Sequence, residues 1–233
     1  RVPYGSKSKE IVTKYARQII RFLLTKQVKA IVVACNTVSA CAMNAIEQEV
    51  EIPVIEVVRP GARVAAGATA NGRIGVIGTD ATIGSGIYTE YIKKINPAVE
   101  VIGKACPLFV PLVEEGLLQD PVTDEIAGRY LSELADMDID TLILGCTHYP
   151  LIKEAVGRIM GEKVTLVNPA YETARQLKEL LTQRELLNDK RAVPGEEQHR
   201  FFVSDGAEKF IRFANSIIKY DILSAKIIHI DEF

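Results

Sequence analysis

The sequence predicts an α/β architecture of two similar α/β domains. Their parallel sheets are flanked by helices, and pseudo-twofold symmetry places a site in the cleft between them. Three observations carry this expectation. Short β-branched apolar runs alternate with helical periodicities along the chain, as when crossover helices join parallel strands. The length of 233 residues accommodates two domains of about 100–120 residues each. Finally, one device occurs twice. "IVVACNT" at Ile31–Thr37 aligns with "LILGCTH" at Leu142–His148, and Cys35 and Cys146 lie 111 residues apart. Further on, "PVIEVVRPGARVA" aligns with "KVTLVNPAYETA", and Pro60 and Pro169 lie 109 residues apart. Two landmarks at nearly one offset mark a duplicated half. The plain alternative is that βα units look alike, since short apolar runs are weak signals.

The elements follow in order. Ser8–Lys26 places Ile11, Val12, Tyr15, Ile19, Phe22 and Leu23 at helical spacing. "AIVVAC" at Ala30–Cys35 reads as a buried strand, Val38–Val50 as a helix and Ile52–Val58 as a strand. The alanine-rich Ala62–Ala70 reads as a helix, Arg73–Gly78 as a strand, Ser85–Ile95 as a helix and Val99–Ala105 as a strand. A helix is expected over Thr123–Ala135, a strand over Thr141–Cys146, a helix over Leu151–Met160, a strand over Val164–Asn168 and a helix over Ala170–Leu181. His199–Ser204, Ala207–Ile218 and a final strand candidate at Ala225–Ile230 close the series. The polar stretch Leu187–Gln198 is the best loop candidate.

Composition narrows the function classes. A net charge of −2 with no basic block gives no electrostatic footprint for nucleic acid or an anionic membrane. No apolar run reaches the ~18 residues of a membrane span, and no basic-then-apolar leader is visible. A cytoplasmic location is expected. The four cysteines show no C-x-x-C spacing, and a chain of this size needs no disulfide scaffold.

Cys35 and Cys146 each end an apolar run and precede a helix. In parallel α/β folds, ligands sit beyond the carboxyl ends of strands, and a helix N-terminus favours a thiolate. Inverting a carbon centre needs a base on one face and an acid on the other, which two opposed thiols supply. Nucleophilic catalysis would need only one activated cysteine. Cys41, inside the following helix, and Cys106, before Pro107, read as packing residues. His148, two residues after Cys146, reads as a proton-transfer group, since His is the usual acid–base side chain near neutral pH; the plain alternative is a satisfied core histidine. A zinc site of Cys35, Cys146 and His148 lacks metal-like local spacing, so no metal is expected. "IGVIGTDATIGSG" is not a dinucleotide fingerprint. Thr79 and Thr82, in the turn after that strand, suit a carboxylate held by hydroxyls and backbone N–H groups.

"RVPYGSKS" at Arg1–Ser8, "ACNTVSA" at Ala34–Ala40, "IGVIGTDATI" at Ile74–Ile83, "CPLFVPLVEEG" at Cys106–Gly116 and "LGCTHYPL" at Leu144–Leu151 together resemble bacterial glutamate racemase. The resemblance covers essentially the whole chain. It implies interconversion of L- and D-glutamate without a cofactor, D-glutamate being supplied for peptidoglycan, and a homodimer as the assembly. It implies that Cys35 is the base that works on D-glutamate and Cys146 the base that works on L-glutamate. His148 and Glu114, the latter chosen over its neighbour Glu115, match residues that assist proton transfer. Pro3, Tyr4, Gly5 and Ser6 match the substrate loop. Asn36, Thr37, Thr79, Thr82 and Thr147 match groups that hold the substrate's carboxylates and ammonium. The resemblance also implies a discontinuous first domain, 1–58 plus 168–233, with 59–167 as the second. The family opens with a strand and a Gly-rich turn carrying an Asp-Ser pair. This sequence begins about where the "PYG" loop does, so it is expected to be a piece of a longer protein lacking that first strand. Asn168 stands where the family often has Asp. Two other readings stay open: an aspartate racemase or another two-cysteine isomerase, and a non-catalytic amino-acid-binding protein of two domains.

Overall fold

The computed structural model describes residues 1–188, 199–219 and 221–233. Its first part runs α1 (Lys9–Leu24), β1 (Ile31–Val33), α2 (Asn36–Glu49), β2 (Val54–Glu56) and α3 (Val58–Ala68). A second run follows: β3 (Arg73–Gly78), α4 (Asp80–Gly84), α5 (Ile87–Ile95), β4 (Glu100–Ala105), α6 (Phe109–Glu114) and α7 (Pro121–Ala135). Next come β5 (Thr141–Gly145), a 3-10 turn (Tyr149–Ile152), α8 (Lys153–Met160), β6 (Thr165–Val167) and α9 (Pro169–Gln183). The chain ends with β7 (Phe202–Val203), α10 (Ala207–Ile217), β8 (Lys226–Ile227) and a 3-10 turn (Ile230–Glu232). The expected loop at 187–198 falls outside the described residues beyond Asn188.

The strands pair in parallel throughout the described residues: β1 with β2, β7 with β8, and a four-stranded sheet in the order β4-β3-β5-β6. The middle strands of that sheet read as unbroken apolar runs because both faces are covered; every residue of β5 is buried. On one face Leu131, Leu144, Phe109, Tyr149 and Val156 form a core under α6, α7 and α8. On the other, Val58, Ala62, Ile74, Val76, Tyr88 and Ile143 form a core under α3 and α5. A third core of Val12, Ile20, Ile31, Val33, Met43 and Ile46 packs α1 and α2 on β1. Full burial of each such side chain contributes about 1.5–3 kcal/mol.

Several boundaries differ from the sequence expectation for local reasons. Helix α3 begins at Val58, not Ala62, because the Glu56 carboxylate accepts the backbone N–H of Val58 and, at 2.8 Å, that of Arg59. These bonds cap the helix, and Pro60 falls in the first turn, where its missing N–H is harmless. Helix α7 starts at Pro121 behind Asp120, whose side chain accepts the Val122 N–H at 2.9 Å. Helices α4 and α6 are not foreseen by the sequence pattern. At 5 and 6 residues they are too short to show a helical period. The final strand shrinks to Lys226–Ile227.

The repeat has a structural counterpart. Each cysteine motif follows one strand of a parallel pair (β1 with β2, β5 with β6), and the second strand of each pair leads into a helix carrying the matched proline. Those two helices touch beside the matched prolines: a Cβ on Gly61 of α3 would stand 2.9 Å from Pro169 Cγ of α9. Only a residue without a side chain permits this approach.

Candidate active site

The order β4-β3-β5-β6 reverses direction between β3 and β5. Such a switch point opens a crevice at the carboxyl ends of the strands. Thr79 directly follows β3 and Cys146 directly follows β5. Cys35 follows β1 and caps the N-terminus of α2 with extended backbone dihedrals. Strand and helix thus place both thiols at turns that follow strands.

The two thiols are tuned by similar surroundings. Burial pushes the Cys35 thiol up, while the N–H groups of Val38 and Thr37 and the Thr37 hydroxyl pull it down. Cys146 is pushed up to about 12, chiefly by burial. The N–H groups of His148 and Tyr149 and the Thr147 hydroxyl oppose that rise, while the charge of Cys35 adds to it.

On the Cys146 side, His148 Nδ1 lies 3.7 Å from the Cys146 Sγ. Its Nε2 lies 3.3 Å from Glu114 Oε1 at the end of α6. Glu115 points elsewhere and pairs with Lys209 of α10 at 3.1 Å. Of the two adjacent carboxylates, Glu114 is thus the one beside the histidine.

On the Cys35 side, three buried hydroxyls converge. Thr37 Oγ1 lies 2.9 Å from Thr79 Oγ1 and 3.4 Å from Thr82 Oγ1, and Thr79 and Thr82 are 3.0 Å apart. Each hydroxyl carries one proton, so two bonds among the three leave one proton to offer an outside acceptor. Gly5 lies over them: its carbonyl accepts the Ala81 N–H at 3.2 Å, and a Cβ there would stand 2.6 Å from the Thr79 side chain. Tyr4 packs against the same core as Cys35. Its hydroxyl is pushed up by burial and then by the charge of Cys35. Pro3 and Ser6 flank this turn and are exposed. Asn36 is buried, and Thr147 is exposed beside Cys146.

A cavity of about 350 Å³ is lined by Asn36, Cys146 and Thr147 together with apolar side chains such as Val32, Val57 and Leu177. The side chain of Asn168 caps α9 at its edge by accepting the Ala170 N–H at 3.0 Å. Cys106 lies apart, fully buried, its thiol pushed up to about 12 by burial and its carbonyl bonded by the Tyr149 hydroxyl at 2.8 Å. Cys41 is partly buried against the core of α1 and α2. Sequence reasoning missed Tyr88, whose hydroxyl donates to Asn36 Oδ1 at 2.7 Å. In a helix Tyr88 reads as one more apolar position four residues before Ile92. Among the described residues no group of three or more His, Cys, Asp and Glu could hold a metal ion, and no helix is long and apolar enough to cross a membrane.

Residues 3–177 match the family model described as Asp/Glu/hydantoin racemase. The chain belongs to that family. A glutamate racemase of Geobacter metallireducens is 51% identical over 218 residues, which are 94% of this chain and 80% of that protein. The crystal structure of a glutamate racemase isoform from Bacillus anthracis superposes with a TM-score of 0.92 at 37% identity, covering 98% of this chain and 84% of the other. That of a glutamate racemase from Francisella tularensis, in complex with D-glutamate, gives 0.91 at 37% identity and covers 100% of this chain and 86% of the other.

Proposed function

We propose that this racemase-family chain interconverts L- and D-glutamate without a cofactor, using Cys35 and Cys146 on opposite faces of the α-carbon. The observation that carries the reading is the placement of two thiols at the ends of matched strands, with the charge of Cys35 acting on Cys146. The thiolate of Cys146 takes the α-proton of L-glutamate, the C–H electron pair stays on carbon, and the Cys35 thiol delivers its proton to the other face. The reverse direction exchanges the roles. Burial by itself favours neutral thiols; the substrate's ammonium would favour the thiolate. Thr37, Thr79, Thr82, Asn36 and Thr147 would donate to the carboxylates and stabilise charge as it develops. Pro3, Tyr4, Gly5 and Ser6 would cover the substrate and exclude water. His148, held by Glu114, would pass protons at Cys146.

The reading extends to supply of D-glutamate for peptidoglycan, a cytoplasmic homodimer, and a division into 1–58 plus 168–233 and 59–167. An aspartate racemase is the nearest rival, and the 51% identical glutamate racemase argues against it. A binding protein would need no paired thiols. The test is α-proton exchange in D2O with L- and D-glutamate in separate tubes, repeated with aspartate. Loss of the α-proton signal together with optical activity from both glutamate tubes is expected. Binding with no exchange would favour a binding protein; faster turnover of aspartate would favour the sister enzyme.

A further inference from the structure

We propose that Tyr88 is a positioning residue that ties together the two thiol-bearing turns and aims the Asn36 amide into the cleft. The inference rests on the racemase reading above. Tyr88 belongs to α5, outside both cysteine motifs, and is 3% exposed. Its two ends reach the residues that adjoin the two thiols. The hydroxyl donates to Oδ1 of Asn36, which follows Cys35 as the first residue of α2. The ring lies along Gly145, which precedes Cys146: a Cβ on Gly145 would stand 3.3 Å from Tyr88 Cε2 and 2.6 Å from the Ile77 carbonyl oxygen. Gly61 makes room for the hydroxyl in the same way, since a Cβ there would stand 3.3 Å from Tyr88 Oη.

The chemistry of the bond fixes the orientation of Asn36. A buried phenol stays protonated; burial, then the charges of Glu56 and Cys146, push its ionisation up. Its O–H must find an acceptor, because an unbonded buried hydroxyl is costly. Asn36 offers one acceptor and one two-proton donor. With Oδ1 held by Tyr88, the Nδ2 group is left to serve the cavity that Asn36 walls together with Cys146 and Thr147. An unheld amide could rotate and present its carbonyl oxygen instead, which would repel a substrate carboxylate. Phenylalanine would pack equally well on Gly145 but could not set this choice.

The experiment compares the purified chain with Y88F, N36A, the double variant Y88F/N36A and N36D, reading kcat and KM for glutamate racemization alongside thermal melting. Y88F is expected to lower kcat/KM about 10- to 100-fold. In the N36A background the same change is expected to do less than about twofold, because the residue it positions is gone. N36D keeps an acceptor for Tyr88 and removes the donor. It is expected to lose activity as N36A does and, because its carboxylate is buried, to melt below the wild type. Equal losses from Y88F in both backgrounds would mean the hydroxyl acts through packing alone, and the inference would fall. So would an N36D variant with wild-type activity. An active wild type with an unaffected Y88F would sink the role of Tyr88 and leave the racemase reading standing. A silent wild type would sink the racemase reading itself, and this role with it.

Discussion

Glu114 and His148 are 34 residues apart in the sequence, yet Oε1 of one lies 3.3 Å from Nε2 of the other. The far ring nitrogen of His148 then faces the Cys146 sulfur at 3.7 Å. A carboxylate that orients an imidazole which in turn serves a reactive atom is a known way to fix tautomer and ring angle. His148→Ala is therefore expected to reduce kcat for racemization by about 100-fold. Glu114→Gln should reduce it less, about tenfold, and should add little in the His148→Ala background. Initial rates by polarimetry on the single and double variants decide this.

On the proposed mechanism each thiol would have its own partial reaction. Cys35→Ala and Cys146→Ala should each lower racemization by about 10²–10⁴-fold. Exchange in D2O provides the sharper reading. A protein lacking Cys35 should retain residual α-proton exchange with L-glutamate over D-glutamate, and a protein lacking Cys146 the opposite. The same preference in both variants would contradict the assigned faces.

Alkaline pH should act on stability and activity in opposite directions. Cys146 and Cys106 are each pushed up to about 12 by burial, above the ordinary thiol value of about 8.5. The unfolded chain ionises first, so it binds fewer protons in that window and stability falls with pH. The contribution is complete below about 8.5 and is lost as pH rises toward 12. Melting temperature should fall across this range, and less steeply in Cys106→Ala. In contrast, kcat/KM should rise with pH over the same range, while the chain stays folded, as more of the Cys146 thiolate forms.

Cys106 shares the chemistry of Cys146 but not its place. It sits wholly inside the core beneath α6 and α7. Cys106→Ala should leave kcat within about twofold and lower stability by about 1 kcal/mol, as loss of a small buried group does. Urea titration together with a racemization assay measures both.

Gly145 tests the closeness of the strand ends. A Cβ there would stand 2.6 Å from the Ile77 carbonyl oxygen, a backbone atom that cannot move aside cheaply. Gly145→Ala should destabilise by about 1–3 kcal/mol and lower kcat by shifting Cys146. A variant with wild-type stability and rate would show that the strands adjust freely.

Much of the site is legible in the chain's own pattern. The Cys35 and Cys146 motifs show as apolar runs ending in cysteine at one repeat offset, each after a strand of its own parallel sheet. The hydroxyls of Thr79 and Thr82 can be read from the turn after β3. Glu114 can be separated from Glu115 only by resemblance, since adjacent carboxylates look alike in a sequence. The structure separates them by giving one to His148 and the other to Lys209. Helices α4 and α6 escape notice because a single turn has no period, and α3 grows at its N-terminus because a side chain, Glu56, caps it.

The sequence by itself determined the α/β class, the alternation of elements, the duplicated cysteine motif and the residue types available for acid–base work. Those follow from local periodicity and spacing, which the chain carries along its length. Only the tertiary structure decided which distant groups meet: Thr37 with Thr79 and Thr82, His148 with Glu114, Tyr88 with Asn36. The reason is physical. Strand order, the switch between β3 and β5 and the side-chain-free approaches at Gly5, Gly61 and Gly145 are set by packing among elements far apart in the chain. A buried hydroxyl or carboxylate reveals its partner only once that packing has removed water as the alternative.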